Sequence, residues 1–583
     1  MLEARPLFKR DYDEIFKLAK KIALQNSSEW QTESEADPGI TFLEVFSVLK
    51  DFQQVYMEQI SYKSLERILK FIGQECQHGE PAQYVSKEVY GQHQTLQEGF
   101  KRQYNGVTIE VADGGVVADS EVANIVTLAS GEIHTVCDFP LREDRNMLPF
   151  GSVVSHQGAF YVGLTSRPTT GRLKLFFEMD MTGRNPLNTY IQKLSYPVAT
   201  LTWFAVQKEA SSGHVARVPL TVISDETQGL LFSGIVELDG LEHLQQGGPL
   251  EDENYYIYCE GSSCRYEEAP RIKRLYTNPV RWVQRDTLAK SWHFVLGGDE
   301  KAVTIHHGRV EDSFFRVMIK SSEGYVFVPD DQVVTVLTHE ALRLQLNEAL
   351  IKTYRDQQGE KPIELLICAY DKRLQNYHII GSGTGASEQK ITLEYKDLLY
   401  EAFELMIEEK GQWQRWSKSK DLSQCSKYDR CYTLNPTTGA IEFGDGYHGR
   451  VPAIGKDNIL LTDLALSSFD QGSFYGGDSD LYLAKAGKRA IDLETLKGQS
   501  MNRSVFGESL VTLEDYEKLV RQFPGLKIGD VKVTSPEENH IQVEISVDAG
   551  KYQKFWFKFY EENLLDYMAS YKVITTAVTI KKW

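Results

Sequence analysis

The sequence predicts a multi-domain α+β protein: an N-terminal helical segment, β-rich middle domains, a further β domain around a glycine-rich turn, and a small C-terminal α/β domain. Three observations carry that expectation. The chain has 583 residues, too many for one hydrophobic core. Apolar residues recur at helical spacing near the start, and from Pro81 to about Pro279 the texture changes to short β-type runs punctuated by Gly, Pro and Asp. Apolar residues make up 42% and aromatic residues 11%, which is enough to fill several cores and excludes a disordered chain.

Residues 1–80 read as helical. Phe8, Tyr12, Ile15, Phe16, Ala19, Ile22 and Ala23 form one apolar stripe, followed by a polar break over 26–36. Asp37-Pro38-Gly39-Ile40-Thr41-Phe42-Leu43-Glu44 is a dense helix-start signal. Thr41 with Glu44 suits a capping box, with Ile40 stapled onto Val45. Asp37 as N-cap with Pro38 at the first helical position suits it equally. The helix that follows carries Phe42, Val45, Leu49, Phe52 and Tyr56 in steps of three and four, widened by Phe46 and Val48. Such a seam must be buried, either in a local helical hairpin or in a bundle shared with another subunit. A further helical run holds Leu65, Ile68, Leu69 and Ile72 and ends at Gly73.

Residues 81–284 are expected to form one or two β-rich domains, with strands at Tyr161 to Leu164, Leu173 to Glu178, Thr200 to Val206 and Tyr255 to Cys259. Residues 285–395 read as a mixed α/β, insertion-like region with one helix from His339 to Tyr354 carrying Leu342, Leu346, Ala349 and Leu350. Residues 396–507 return to strands and tight turns. Residues 508–583 read as a compact α/β unit. It has a helix from the Thr512–Asp515 cap to Phe523 and a hairpin turning at Pro536 to Asn539. Ile541, Val543, Ile545 and Val547 alternate along the second strand, followed by a helix over 555–569 and a strand from Val573 to Ile580.

Several function classes are excluded by charge and composition. The formal charge is −18 and no run of five or six basic residues occurs, so nucleic acid is not an expected partner. Seven scattered cysteines contain no CxxC pair, which suits thiols buried as small hydrophobes and matches no common zinc spacing. The first residues are charged from Glu3 and lack an apolar core, so no signal peptide is expected. No apolar stretch is long enough for a membrane helix, and no direct membrane insertion is expected.

The most conspicuous local sequence is Phe443-Gly444-Asp445-Gly446-Tyr447-His448-Gly449-Arg450-Val451-Pro452. Asp445 and His448 suggest an acid/base or ligand pair, but no nucleophile or third ligand stands at motif spacing. A tight turn with positive φ at glycine accounts for the same residues. His306-His307 lacks a third ligand and reads as a partly exposed pair. Gly381-Ser382-Gly383-Thr384-Gly385 lacks the Lys-Ser/Thr of a phosphate loop. Asp330-Asp331 follows Pro329 without EF-hand spacing. No catalytic residue, cofactor or metal is expected, and the chain reads as a non-enzyme.

Six blocks in order resemble a known family, the baseplate J-like wedge proteins. These are baseplate assembly proteins of contractile phage tails and extracellular contractile injection systems. The blocks are Trp30 with Asp37 to Thr41, Leu43-Glu44, Phe46 and Leu69 to Gly73; Phe150-Gly151 with Tyr161-Val162-Gly163; Trp203 with Asp225-Glu226-Thr227 and Ser233-Gly234; Tyr256 to Cys259 with Tyr266 to Pro270 and Asn278; Trp416, Tyr428-Asp429-Arg430, Gly439, Ile441 to Gly446, Gly449-Arg450, Pro452 and Gly455; and Val511-Thr512, Asp515 to Glu517 and Pro524-Gly525. Residues 285–380 carry no such landmark, and the segment after Asp470 lacks a clear glycine-rich continuation.

The resemblance implies that residues 396–507 are a baseplate J-like core and that residues 1–80 join an inter-subunit helical bundle. It implies a structural wedge subunit, synthesised and assembled in the cytoplasm and located at the baseplate of the finished particle. Expected partners are a second copy or paralogous wedge protein, sheath and tube-adaptor proteins, and the spike hub, in a ring that is usually six-fold. Phe42, Val45, Leu49, Phe52 and Tyr56 are the expected subunit interface. A tail-associated glycan- or receptor-binding adhesin is the alternative, and it would need an exposed aromatic groove over 81–279. A peptidoglycan hydrolase would need paired carboxylates in one cleft.

Overall fold

The computed structural model describes residues 12–26, 37–58 and, with short breaks, 76–469, 481–491 and 510–583. The chain divides into two units, Met1–Cys76 with Leu493–Glu508, and Gln77–Asp492 with Ser509–Trp583. In the first unit, α1 (Tyr12–Asn26) and α2 (Pro38–Glu58) pack against each other. Of the two readings of the helix start, the structure takes the second. Asp37 Oδ1 accepts from the Gly39 amide at 2.7 Å and Pro38 occupies the first helical position. Thr41 lies inside the first turn, its amide donating to the Asp37 carbonyl at 3.1 Å, so the Thr41–Glu44 box does not form the start. The Ile40–Val45 staple is also absent, because Ile40 is buried and Val45 is exposed. Trp30 and the run from Leu65 to Gly73 lie outside the described residues.

The second unit begins with an antiparallel five-stranded sheet in the order Lys101–Tyr104, Val107–Val111, Val280–Val283, Gln83–Ser86, Leu481–Lys485. Tyr84, Ile109, Val111 and Trp282 fill its core, and the Trp282 indole donates to Ser86 Oγ at 2.8 Å. Next come a six-stranded and a four-stranded antiparallel sheet. Trp203 joins them, edge-on to Phe160 of the first at 5.8 Å and tilted against Phe177 of the second at 6.2 Å. The strands expected at 161–164, 173–178, 200–206 and 255–259 lie within Gly158–Leu164, Arg172–Met179, Thr200–Lys208 and Tyr255–Ser262.

A large sheet follows and curls into a ring. Tyr325–Phe327, Ser313–Lys320, Ile363–Asp371, Asp286–Leu296, Gly455–Leu466, Leu398–Glu409 and Gln412–Lys418 are neighbours in that order, and Tyr325 pairs with Trp413 to close the circuit. The Ile363–Asp371 strand is buried on both faces, which explains its nearly unbroken apolar run. Leu366, Cys368 and Tyr370 face the ring's core, while Ile363, Leu365 and Ile367 face a side layer. That layer is the three-stranded sheet Ala302–Ile305, Leu342–Leu346, Val333–Leu337 with α3 (Glu348–Gln358).

Here the expected helix from His339 to Tyr354 is corrected. Leu342, Leu344 and Leu346 are buried while Arg343 and Gln345 are exposed, the period-two pattern of a strand. The helix begins only after Asn347, whose Oδ1 accepts from the Ala349 amide at 2.9 Å. Leucines four apart satisfied helical spacing, and the cap at Asn347 decided where the helix starts.

The C-terminal α/β unit carries α4 (Leu513–Arg521), a hairpin of Ile528–Glu537 and His540–Val547, α5 (Gln553–Tyr571), and Ala577–Lys582 parallel to the middle strand. Thr512 and Asp515 form a reciprocal capping box. Ile541, Val543 and Ile545 are buried in alternation, as expected. The unit docks on the preceding sandwich through Asn185, whose Nδ2 donates to Arg521 O at 2.7 Å and whose carbonyl accepts from Gly525 at 2.8 Å.

Candidate assembly surface

On α2 the apolar side faces outward. Phe42 is 64% exposed, Val45 51%, Leu49 52% and Phe52 59%, and Phe46 and Val48 are exposed beside them. The buried stripe is Ile40, half-buried Leu43 and Ser47, with Ser47 Oγ donating to the Leu43 carbonyl at 2.6 Å. A surface helix ordinarily turns its apolar stripe toward its own core. Six exposed apolar side chains on one helix make a patch of the kind that marks an interaction site. Tyr56 lies on the helix, but its side chain is outside the described residues.

The glycine-rich turn is built as architecture. Phe443 is buried edge-on against Trp416, with ring centroids 5.5 Å apart. Asp445 Oδ1 accepts from the amides of Tyr447 at 2.7 Å and His448 at 2.6 Å, and its other oxygen lies 3.2 Å from the His448 ring. The His448 and Tyr447 amides, with the His448 ring, pull the Asp445 carboxyl down to about 2. Gly446 and Gly449 have φ of +90° and +86°, and the Gly446 amide donates to the Gly449 carbonyl at 3.0 Å. A Cβ on Gly444 would lie 2.2 Å from the Gly449 oxygen, so this crossing requires glycine.

Arg450 reaches Glu409 at 3.2 Å, and Arg430 adds two bonds to the same carboxylate at 3.1 Å each. Pro452 is buried. Asp445 and His448 therefore hold each other in a turn, and no third titratable group converges on them among the described residues. Beside the turn, Tyr428 and Tyr447 stand well exposed.

The other candidates take structural places. His306 is exposed and His307 buried, 5.2 Å from the Trp292 ring, which corrects the expectation of a partly exposed pair. Gly383 ends the Ile379–Gly383 strand, where a Cβ would meet the Ala453 oxygen at 1.9 Å, so these glycines permit a close backbone approach. Asp330 and Asp331 form a 3-10 turn, with Arg316 3.7 Å from Asp330. No group of three metal-ligating side chains occurs among the described residues. No helix among them is long and apolar enough to cross a membrane.

The sequence signal for the α2 surface was the apolar stripe itself; its outward direction carries no local sequence signal. The buried carboxylate of Glu110, described below, was missed because a single Glu in a strand looks like any solvated charge.

No protein-family model matches the chain, and no curated protein matches it. Among solved structures, a chain of the type VI secretion system TssK-TssF-TssG baseplate subcomplex aligns over 93% of this chain and 96% of its own length, at 10% identity and a TM-score of 0.28. The N-terminal domain of the Streptococcus gordonii adhesin Sgo0707 aligns over 52% of this chain and 89% of its own, at 8% identity and a TM-score of 0.10. Both likenesses are weak: the first is to a contractile-injection baseplate component and the second to an adhesin domain, and at such TM-scores neither carries an argument.

Proposed function

We propose that this chain is a structural baseplate subunit of a contractile injection system: a wedge arm that links spike hub to sheath and passes on the contraction trigger. The observation that carries the reading is the outward apolar face of α2, directly after the helix-start motif that resembles the wedge family's N-terminus. A subunit made to enter a shared helical bundle needs this arrangement, because the seam stays open until its partner arrives. The ring of strands, the sandwich and the C-terminal unit supply rigid bodies, and rigid bodies joined by interfaces with two arrangements transmit a conformational change. The chain acts by contact, without catalysis or cofactor. Its partners are a second copy or paralogue, the sheath and tube-adaptor proteins, and the hub, in a ring of wedges.

The adhesin alternative gains nothing from the sandwich. Its large aromatics, among them Trp203, Tyr161, Tyr258 and Phe176, are buried, and Tyr196 is the exposed aromatic among the described residues of 81–279.

Leu49→Asp tests the proposal. Leu49 is already half exposed, so the isolated chain keeps its fold, whereas in a closed seam the unpaired carboxylate costs several kcal/mol. Electron microscopy of particles captured through a tag on this chain should show the label as a ring at one end of sheathed rods. The variant should leave the tagged chain free of particles. Rods assembled at normal yield around the variant overturn the assignment of the seam, and capture of no rods from a host that makes them overturns the function.

A further inference from the structure

The side layer of the ring ends in an edge that lacks the usual protection. The Val333–Leu337 strand pairs with Leu342–Leu346 on one side only, and no described strand covers the other. Its sequence is Val-Val-Thr-Val-Leu, and Val334 through Leu337 are all exposed. Ala302–Ile305, the opposite edge of the same sheet, also lacks charge, proline and bulge but exposes only Thr304, whereas several edge strands elsewhere carry devices that block pairing with another chain. Val215–Pro219 contains Arg217 and ends in Pro219, Glu132–Asp138 has an acid at each end, and Ala577–Lys582 ends in two lysines. The Val333–Leu337 edge has no charge, proline or bulge.

Its backbone geometry is specific. The Asn347 amide donates to the Gln332 carbonyl at 2.9 Å, which makes Gln332–Asn347 a hydrogen-bonded pair. The next pair, Val333–Leu346, is of the open kind, and the Leu346 amide donates away from it, to the Lys301 carbonyl at 3.0 Å. By alternation, Val334 and Val336 bond to the neighbouring strand, while Val333, Thr335 and Leu337 turn their amides and carbonyls outward.

We infer that this edge joins the same edge of a second copy as an antiparallel strand pair with its two-fold axis at Thr335. About that axis the three outward-facing residues meet as hydrogen-bonded pairs, Val333 with Leu337, Thr335 with Thr335, and Leu337 with Val333. The solvent face matches in the same register, since Val334 falls opposite Val336 of the second copy. Apolar therefore meets apolar and hydroxyl meets hydroxyl, and no like charges are opposed within the five paired residues, although each copy carries a formal charge of −18. An isologous contact of this type closes on itself as a dimer. It is separate from the α2 seam and does not depend on it.

The test is sedimentation of the full chain across a concentration series, with three kinds of variant. Thr335→Pro removes the amide at the axis from both copies and should weaken the dimer about tenfold or more. Val334→Lys with Val336→Lys opposes lysines across the axis, beside exposed Arg343, and should abolish dimerisation. Both valines lie on the solvent face, so this variant leaves the fold intact. Thr335→Cys should oxidise to a covalent dimer, because hydrogen-bonded partners sit about 5.5 Å apart, within disulfide reach. Val334→Cys should not, since the two copies of that residue are offset diagonally by about 7–8 Å. Leu49→Asp should leave this dimer unchanged. A chain that stays monomeric at every concentration, a dimer indifferent to the lysines, or equal cross-linking at both cysteine positions overturns the inference.

Discussion

Glu110 offers the sharpest test of how the second unit holds its layers together. The residue lies on Val107–Val111 of the five-stranded sheet, with its side chain fully buried. Arg285 and Thr287 lie at the start of the large sheet, and Lys101 lies opposite Glu110 on the neighbouring strand of its own sheet. Arg285 Nε is 2.7 Å away, the Thr287 amide 2.6 Å, Thr287 Oγ1 2.7 Å and Lys101 Nζ 3.5 Å. Glu110→Ala strips the anion from Arg285 and leaves two Thr287 donors without an acceptor. Lys101 is spared, because it keeps Asp286 and the Thr287 carbonyl.

Breaking a buried ion pair costs about 3–5 kcal/mol, and each orphaned buried donor about 1–3 kcal/mol. These contributions overlap, and Arg285 retains 24% side-chain exposure, so solvent offsets part of the loss. The net expectation is about 3–4 kcal/mol. Glu110→Gln, which keeps one acceptor oxygen, should lose roughly half of that. Urea unfolding followed together with hydrogen exchange of peptides spanning 107–111 and 286–289 reads the effect locally, as a multi-layer chain requires. A loss below about 1 kcal/mol, or unchanged exchange at the Thr287 amide, refutes the claim that this carboxylate staples the two sheets.

Further perturbations test the turn and the pH response. Gly444→Ala places a methyl 2.2 Å from the Gly449 oxygen, a backbone atom that cannot swing aside. It should cost about 1–3 kcal/mol by thermal unfolding, and an unchanged midpoint would show that the crossing is slack. Burial, with nearby cations, lowers the titration of His78 and His378 below the usual histidine range. The unfolded chain then binds more protons, so stability is complete above about pH 6.5 and falls as pH drops through that value. His378→Phe should flatten the slope between pH 7.5 and 5.5, the ring keeping its places 5.2 Å from Tyr370 and 5.3 Å from Phe314. An unaltered slope assigns the response elsewhere.

Much of the local structure was legible because its causes are local. A helix start within 37–44 and the Thr512–Asp515 box need only side chains within a few residues to satisfy the first amides of a helix, although the choice of Asp37 over Thr41 as the α2 cap came from the structure. The turn at 443–452 was legible for the same reason, since positive φ at Gly446 and Gly449 is a property of glycine itself. Leu342 to Leu346 shows the boundary of this reasoning. Leu342, Leu346, Ala349 and Leu350 satisfy a helix and leucines at 342, 344 and 346 satisfy a strand; pairing with Ala302–Ile305 and Val333–Leu337 settled the matter.

The sequence by itself determined the Thr512–Asp515 cap, the turn at 443–452, that the chain is a multi-domain α+β protein, and that α2 carries an apolar stripe. Only the tertiary structure decided that this stripe faces outward, that Tyr325 meets Trp413 to close the ring, that Glu110 is buried among Arg285 and Thr287, and that Val333–Leu337 is an open edge. The physical reason is range. Caps and turns are set by bonds between near neighbours, whereas burial, closure and edge status depend on residues tens to hundreds of positions away, and no local pattern records which of them arrive.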